Sequence, residues 1–253
     1  MTDEKREPTP RLGWLELSLV AAVVVLAAQL AWPAWQMWQN RPRPGVQVVR
    51  WFGSTGYLLC LPREYDRQPI WPLLVYLHGG ARRGTDPAWI ADGCGPPALI
   101  KRGRQFPMIV VAPQCRPGEQ FDPDEVLALV DHIVEEFHVD ATRIYAAGDS
   151  LGGRGTWDVA LADPGRFAAI APVCGVADAS RAETLKGVAV WAFHGASDEV
   201  MPIRCTQAMI ERLQAAGGHA TLTVYHEHGH DIGGLTYGND ELYTWLLSQR
   251  RVK

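Results

Sequence analysis

Three side chains that lie far apart in the sequence could together make an alcohol reactive: Ser150, His230 and Asp198. A serine hydroxyl is a weak nucleophile until a base takes its proton, and an imidazole base needs a carboxylate to hold its tautomer and stabilise the imidazolium that forms. Ser150 is the centre of Gly148-Asp149-Ser150-Leu151-Gly152-Gly153. The apolar run Arg143-Ile144-Tyr145-Ala146-Ala147 precedes it, and a helical pattern through Trp157, Val159 and Leu161 follows. Strand, sharp turn and helix form the setting in which a GxSxG serine is strained and exposed at a sheet edge. Side chains at Gly148 or Gly152 would collide with the neighbouring strand and helix. Without that setting, the motif is an ordinary glycine turn.

The run Val188-Ala189-Val190-Trp191-Ala192-Phe193 ends in His194-Gly195-Ala196-Ser197-Asp198-Glu199. Asp198 is therefore expected in the loop after a strand, on the edge that carries Ser150, with Glu199 as the neighbouring alternative. For the base, Tyr225-His226-Glu227-His228-Gly229-His230-Asp231 offers three histidines at alternate positions. On a strand end His226 and His228 would share one face, as a metal site requires, but neither HExxH nor another ligand cluster is present in the sequence, and no metal is expected. His230 follows Gly229, where a loop can turn inward over the sheet edge, and is the expected base. His226 and His228 are expected to be surface or supporting residues.

Acyl transfer also needs donors for the oxyanion that develops on the attacked carbonyl. Leu73-Leu74-Val75-Tyr76-Leu77 runs directly into His78-Gly79-Gly80-Ala81. The backbone N–H of Gly80, with Ala81 close behind, and that of Leu151 at the start of a helix are the expected pair. His78 itself is expected to be a hydrogen-bonded structural histidine, because a base in this arrangement follows the serine in the chain.

These residues must be positioned by strands that end on one edge. Short β-branched runs are expected to be strands over Val46 to Trp51, Gly56 to Leu61, Leu73 to Leu77, Met108 to Ala112, Arg143 to Ala147, Ala168 to Val173, Val188 to His194 and Thr221 to Tyr225. The first two form a hairpin around Gly53-Ser54-Thr55-Gly56. Amphipathic segments between the later runs imply crossover connections, hence an α/β fold with a mostly parallel sheet and helices on both faces. The clearest helix spans Pro123 to His138, capped by Asp122 with Pro123 at its first position. Two more follow the Ser150 turn and Pro202, and Asp240 to Gln249 closes the chain.

Of 253 residues, 47% are hydrophobic and 21% charged, which excludes a disordered, collagen-like or coiled-coil chain. The formal net charge is -4 and no basic stripe occurs, so nucleic acid is not an expected partner. Five scattered cysteines without a CxxC pair encode neither a zinc site nor a disulfide framework. The expected organisation is a tail over residues 1–12, a membrane anchor or uncleaved signal over 13–38, a linker over 39–45 and a single catalytic domain over 46–253. The run WLELSLVAAVVVLAAQLAWPAW has one charge, Glu16, and is about the length of a membrane-spanning helix, with Trp14, Trp32, Trp35 and Trp38 at its ends. Basic residues on its two sides tie, and a short tail before a long domain places that domain outside the cytoplasm.

Ser150, Asp198 and His230 occur in the order of the α/β-hydrolase superfamily. Within it the chain resembles the bacterial predicted peptidases and carboxylesterases related to polyhydroxybutyrate depolymerase-type and dienelactone hydrolase-like esterases. The resemblance runs from about Gly56 to Arg251 through LLVYLHGG, GCGPPALI, IVVAPQC, DATRIYAAGDSLGGRGTWDVA, FAAIAPVCG, WAFHGASDEVMP, YHEHGHD and ELYTWLLSQRR. It implies a cofactor-independent serine hydrolase of carboxylic esters, with Ser150 as nucleophile, Asp198 as acid and His230 as base. A peptidase with the same residues, or a noncatalytic membrane-anchored binding module, are the alternatives. Three departures alter the substrate cleft. Arg82-Arg83-Gly84 stands where related sequences carry Glu-Arg-Gly, Gly233 where a Trp is common, and Leu151 where Met is common. The stretch between Gly153 and Asp198 leaves little room for a lid, so an open cleft for short acyl chains or for esters on a larger carrier is expected.

Overall fold

The computed structural model describes residues 42–251, together with Val23, Val25, Leu26, Gln29 and Trp32. The chain divides into two compact units, Met1–Arg41 and Pro42–Lys253. In the first, the five described residues are helical. The expected membrane segment over 13–38 otherwise lies outside the described residues. Among those residues, no helix is long and apolar enough to cross a membrane.

In the second unit eight strands form one sheet: β1 Gln47–Phe52, β2 Thr55–Cys60, β3 Trp71–Leu77, β4 Ile109–Pro113, β5 Val139–Asp149, β6 Ala169–Val173, β7 Ala189–Gly195 and β8 Ala220–Tyr225. Their spatial order is β1-β2-β4-β3-β5-β6-β7-β8. The β1–β2 hairpin and the β2–β4 pair are antiparallel, and every pairing from β4 to β8 is parallel. All eight expected strands are present.

Burial on both faces accounts for the continuous apolar runs. All seven residues of β3 are buried, and alternate ones enter different layers. Leu73, Val75 and Leu77 join the core formed with α2 (Pro123–Glu136), α3 (Leu151–Ala162) and α4 (Ile203–Ala215), through Leu129, Ile133, Trp157 and Leu213. Leu74 and Tyr76 join the opposite layer with Ile232, Tyr237 and Leu246 from the C-terminal part of the chain. Deleting one of these buried leucines to alanine costs about 2–5 kcal/mol in cores of this kind.

Helix α2 ends at Glu136, two residues short of the expected His138, because Phe137 turns extended and His138 already accepts the Trp71 N–H at 2.7 Å. For the same reason β5 starts at Val139, paired with Trp71, rather than at Arg143. Two short helices that the pattern did not suggest are α1 Pro96–Lys101 and α5 Gly233–Gly238. The closing helix α6 is Asp240–Ser248, capped by the Asn239 side chain.

After β3 the chain places β4 on one side of β3, and it then returns to place β5 on the other. Diverging connections leave a crevice at the carboxyl ends of such strands. His78-Gly79-Gly80 leaves β3 at that point, and Asp149-Ser150 leaves β5 there.

Candidate active site

Ser150 sits at the switch point with φ 54° and ψ -112°. A non-glycine residue with positive φ is strained, by about 1–3 kcal/mol in regions of this kind, and persists only where its surroundings fix it. Here the Ser150 N–H donates to Val173 O at 2.8 Å on the neighbouring strand, and α3 begins at the next residue. The turn packs so closely that a methyl on Gly152 would overlap the Leu77 carbonyl, and one on Gly148 would lie 2.6 Å from the same oxygen. Both glycines are thus dictated by close approach of backbone, as expected from the motif.

Asp198 lies three residues beyond the end of β7 and is buried, whereas Glu199 is exposed. Oδ1 of Asp198 accepts the backbone N–H groups of Val200 at 2.9 Å and Met201 at 2.8 Å. Its Oδ2 faces His230 Nδ1 at 2.7 Å. On the far side of the same ring, His230 Nε2 lies 2.7 Å from Ser150 Oγ. An acceptor-only carboxylate on Nδ1 fixes the proton there, which leaves Nε2 as the acceptor for the serine hydroxyl. Burial pushes the Asp198 carboxyl up, but the Met201 amide, His230 and the Cys174 thiol outweigh it and hold the group below the usual carboxylate value.

The three histidines of the last loop separate as their positions require. Strand β8 stops at Tyr225, so His226 and His228 lie in the turn beyond it rather than on one strand face, and both are exposed. Only His230 turns inward. Among the described residues, three potential ligands that do cluster are Cys174, His194 and Asp198, all buried, and Asp198 there is already engaged with His230.

At the end of β3, His78 is buried and neutral. Its Nε2 accepts the Cys115 N–H at 3.0 Å, which leaves Nδ1–H to donate to Gly79 O at 2.9 Å. Burial lowers its pKa to about 4. His78 therefore pins the glycine loop, as expected for a structural histidine. Gly80 opens a short 3-10 turn, Gly80–Arg82, and a methyl on Gly80 would lie 3.8 Å from Leu151 Cβ. Among the described residues the N–H groups of Gly80 and Leu151 donate to no acceptor. Both sit at first positions of their helical turns, where intrahelical partners do not exist.

A cleft of about 460 Å³ opens over these atoms, lined among others by Gly80, Ala81, Arg82, Ser150 and His230. Two lining residues carry chemistry that the sequence patterns did not single out. Asp149 accepts a 2.5 Å hydrogen bond from the Tyr76 hydroxyl, and burial raises its carboxyl pKa against the opposing pull of that bond. Its place beside Ser150 was visible, but its partner was not, because Tyr76 precedes it by 73 residues. Cys94 lies 4.0 Å from the same hydroxyl, and burial pushes its thiol up to about 12. All five cysteines are free.

The model of the prolyl oligopeptidase family (Peptidase_S9) matches residues 118–192, a stretch that includes Ser150 and stops before Asp198 and His230. A thermostable esterase is similar in structure with a TM-score of 0.70 at 27% identity, over 81% of this chain and 63% of that one. The fold is that of an α/β-hydrolase. A ferulic acid esterase shares this α/β-hydrolase fold with a TM-score of 0.59 at 19% identity, over 79% of this chain and 98% of that one. So does the acylaminoacyl peptidase of Pyrococcus horikoshii, with a TM-score of 0.60 at 12% identity, over 84% of this chain and 43% of that one. The chain thus spans less than two thirds of the length of the thermostable esterase. A comparison with curated proteins finds no match.

Proposed function

We infer that the protein is a serine hydrolase of carboxylic esters. The observation that carries this reading is the continuous chain Ser150 Oγ, His230 Nε2, His230 Nδ1, Asp198 Oδ2, with both links at 2.7 Å. In the proposed reaction His230 takes the Ser150 proton as Oγ attacks the ester carbonyl. The N–H groups of Gly80 and Leu151 hold the tetrahedral oxyanion. His230 then returns the proton to the departing alcohol, and water, activated by the same imidazole, releases the acyl group. No step calls for a cofactor. Asp198, held below the ordinary carboxylate value, stays ionised and supports the imidazolium.

Ser150→Ala is expected to abolish hydrolysis of p-nitrophenyl acetate while leaving the circular dichroism spectrum and melting transition unchanged. Full activity in that variant would remove the reading. The peptidase alternative is favoured by the Peptidase_S9 match and the acylaminoacyl peptidase neighbour. The ester reading is preferred because an amide leaving group needs additional binding and protonation in the transition state. Turnover of matched ester and peptide substrates separates the two.

The apolar run over 13–38 is proposed, on its sequence, as a single anchor with the catalytic unit outside the cytoplasm. The full chain is then expected to partition into detergent and a chain starting at Pro42 into buffer. Buffer partitioning of the full chain would overturn the anchor.

A further inference from the structure

We propose that Arg82 is a recognition site for a carboxylate carried by the substrate, so that the ester hydrolysed is an anionic one. The proposal rests on the ester-hydrolase reading and adds to it the class of substrate.

Arg82 closes the 3-10 turn that begins at Gly80, and it lines the same cleft as Ser150. Its backbone is fixed at both ends: the N–H donates to Gly79 O at 2.9 Å and the carbonyl accepts from Gln114 Nε2 at 2.7 Å. The side chain runs over Gly93, where a methyl would lie 3.6 Å from its Cγ and Nε. Beyond that, the guanidinium carbon lies 5.0 Å from the centroid of the Trp89 indole. Stacking of this kind holds the planar group in place and leaves its N–H edge open.

That edge is unused. The Arg82 guanidinium makes no hydrogen bond or ion pair with any described residue. Several neighbouring charges have other partners, although the Arg82 charge also acts on the Asp92 carboxyl. Arg83 donates through Nε to Glu119 O at 2.7 Å, Lys101 holds Asp92 at 2.5 Å, and Tyr76 holds Asp149 at 2.5 Å. Asp231 lines the cleft and is exposed. An arginine fork with no hydrogen-bonded or ion-paired partner among the described residues, lining the same cleft as Gly80 and Ser150, matches the two oxygens of a carboxylate. An ester with its carbonyl at Gly80 and Leu151 would pass its substituents along this wall.

The test uses two anionic esters, 4-acetoxybenzoate with the carboxylate on the alcohol part and monophenyl succinate with it on the acyl part, each compared with uncharged phenyl acetate. In the full chain at low salt, kcat/KM for at least one anionic ester is expected to exceed that for phenyl acetate by about tenfold or more, as charge-assisted hydrogen bonds commonly give. In Arg82→Gln that ratio is expected to collapse toward one, and in Arg82→Lys to fall in between. The same ratio in native chain and Arg82→Gln, for both anionic esters, would overturn the proposal. A second measurement separates this failure from failure of the hydrolase reading. Calorimetric titration of the Ser150→Ala chain with the same three compounds reads binding without turnover. There a tenfold preference that Arg82→Gln removes supports the subsite even if no ester is cleaved, and equal affinities count against it.

Discussion

Asp198 meets His230 through a single oxygen, Oδ2, because the Val200 and Met201 amides occupy its Oδ1. This division decides what an amide would do in its place. In Asp198→Asn the side-chain carbonyl must sit at the Oδ1 position to accept the two N–H groups, which turns the NH₂ toward His230 Nδ1. That nitrogen then becomes the acceptor, the proton moves to Nε2, and the ring can no longer take the Ser150 proton. Turnover is expected to fall by about 10⁴-fold, the scale seen when a serine-protease base is forced into the wrong tautomer, with little change in melting temperature. Assaying p-nitrophenyl acetate hydrolysis beside a thermal melt checks this. A loss of less than tenfold would contradict it.

Gly152 and Gly187 provide a contrast in how glycine is used. A methyl at Gly152 overlaps the Leu77 backbone, whereas one at Gly187 meets nothing within 4 Å. Gly152→Ala is expected to destabilise the fold by about 3 kcal/mol, the upper end for overpacking, because backbone rather than a side chain must move. Gly187→Ala is expected to be neutral or to stabilise by up to about 1 kcal/mol through the unfolded chain. Chemical denaturation of both variants checks the pair.

The buried neutral His78 makes stability depend on mild acid. Its pKa is about 4 in the fold and about 6.5 when exposed. Between those values the unfolded chain binds a proton that the folded chain does not, so stability falls as pH drops from about 6.5 to about 4. The full span corresponds to about 3 kcal/mol. Asn at this position can keep a donor toward Gly79 O but cannot titrate. His78→Asn is therefore expected to be less stable at pH 7 and to lose less of its stability by pH 4.5. Denaturation midpoints at several pH values check this, and parallel pH curves for the two proteins would contradict it.

The central strands were legible because β3, β4 and β6 are buried along their whole length, so a short apolar run there has no competing reading, and β1 and β2 were legible from the turn residues between them. Their ends were less so. Phe137, Val139 and Ala141 alternate with polar residues over 137–142 but follow directly on the apolar stripe of α2, so the helix pattern masked the start of β5, and Asp140, bonded to Thr142 and Arg143, shapes this stretch. Helix α5, with the sequence Gly-Gly-Leu-Thr-Tyr-Gly, is poor in helix formers and is held by tertiary packing of Thr236 and Tyr237. At the candidate site, Ser150, Asp198 and His230 were readable from motif and chain order. Tyr76 with Asp149 was not, because it joins residues 73 apart whose meeting depends on the finished sheet, while His194 against Asp198 and Arg82 over Trp89 are local contacts set by loop geometry that no motif encodes.

The central claim is that Ser150 is the atom that attacks. Treating the full chain with a fluorophosphonate probe and mapping the labelled peptide by mass spectrometry tests it most directly. The account predicts one adduct per chain, on Ser150, and strongly reduced labelling in His230→Ala. An adduct on another residue, or ester hydrolysis that persists with Ser150 unlabelled, would contradict it.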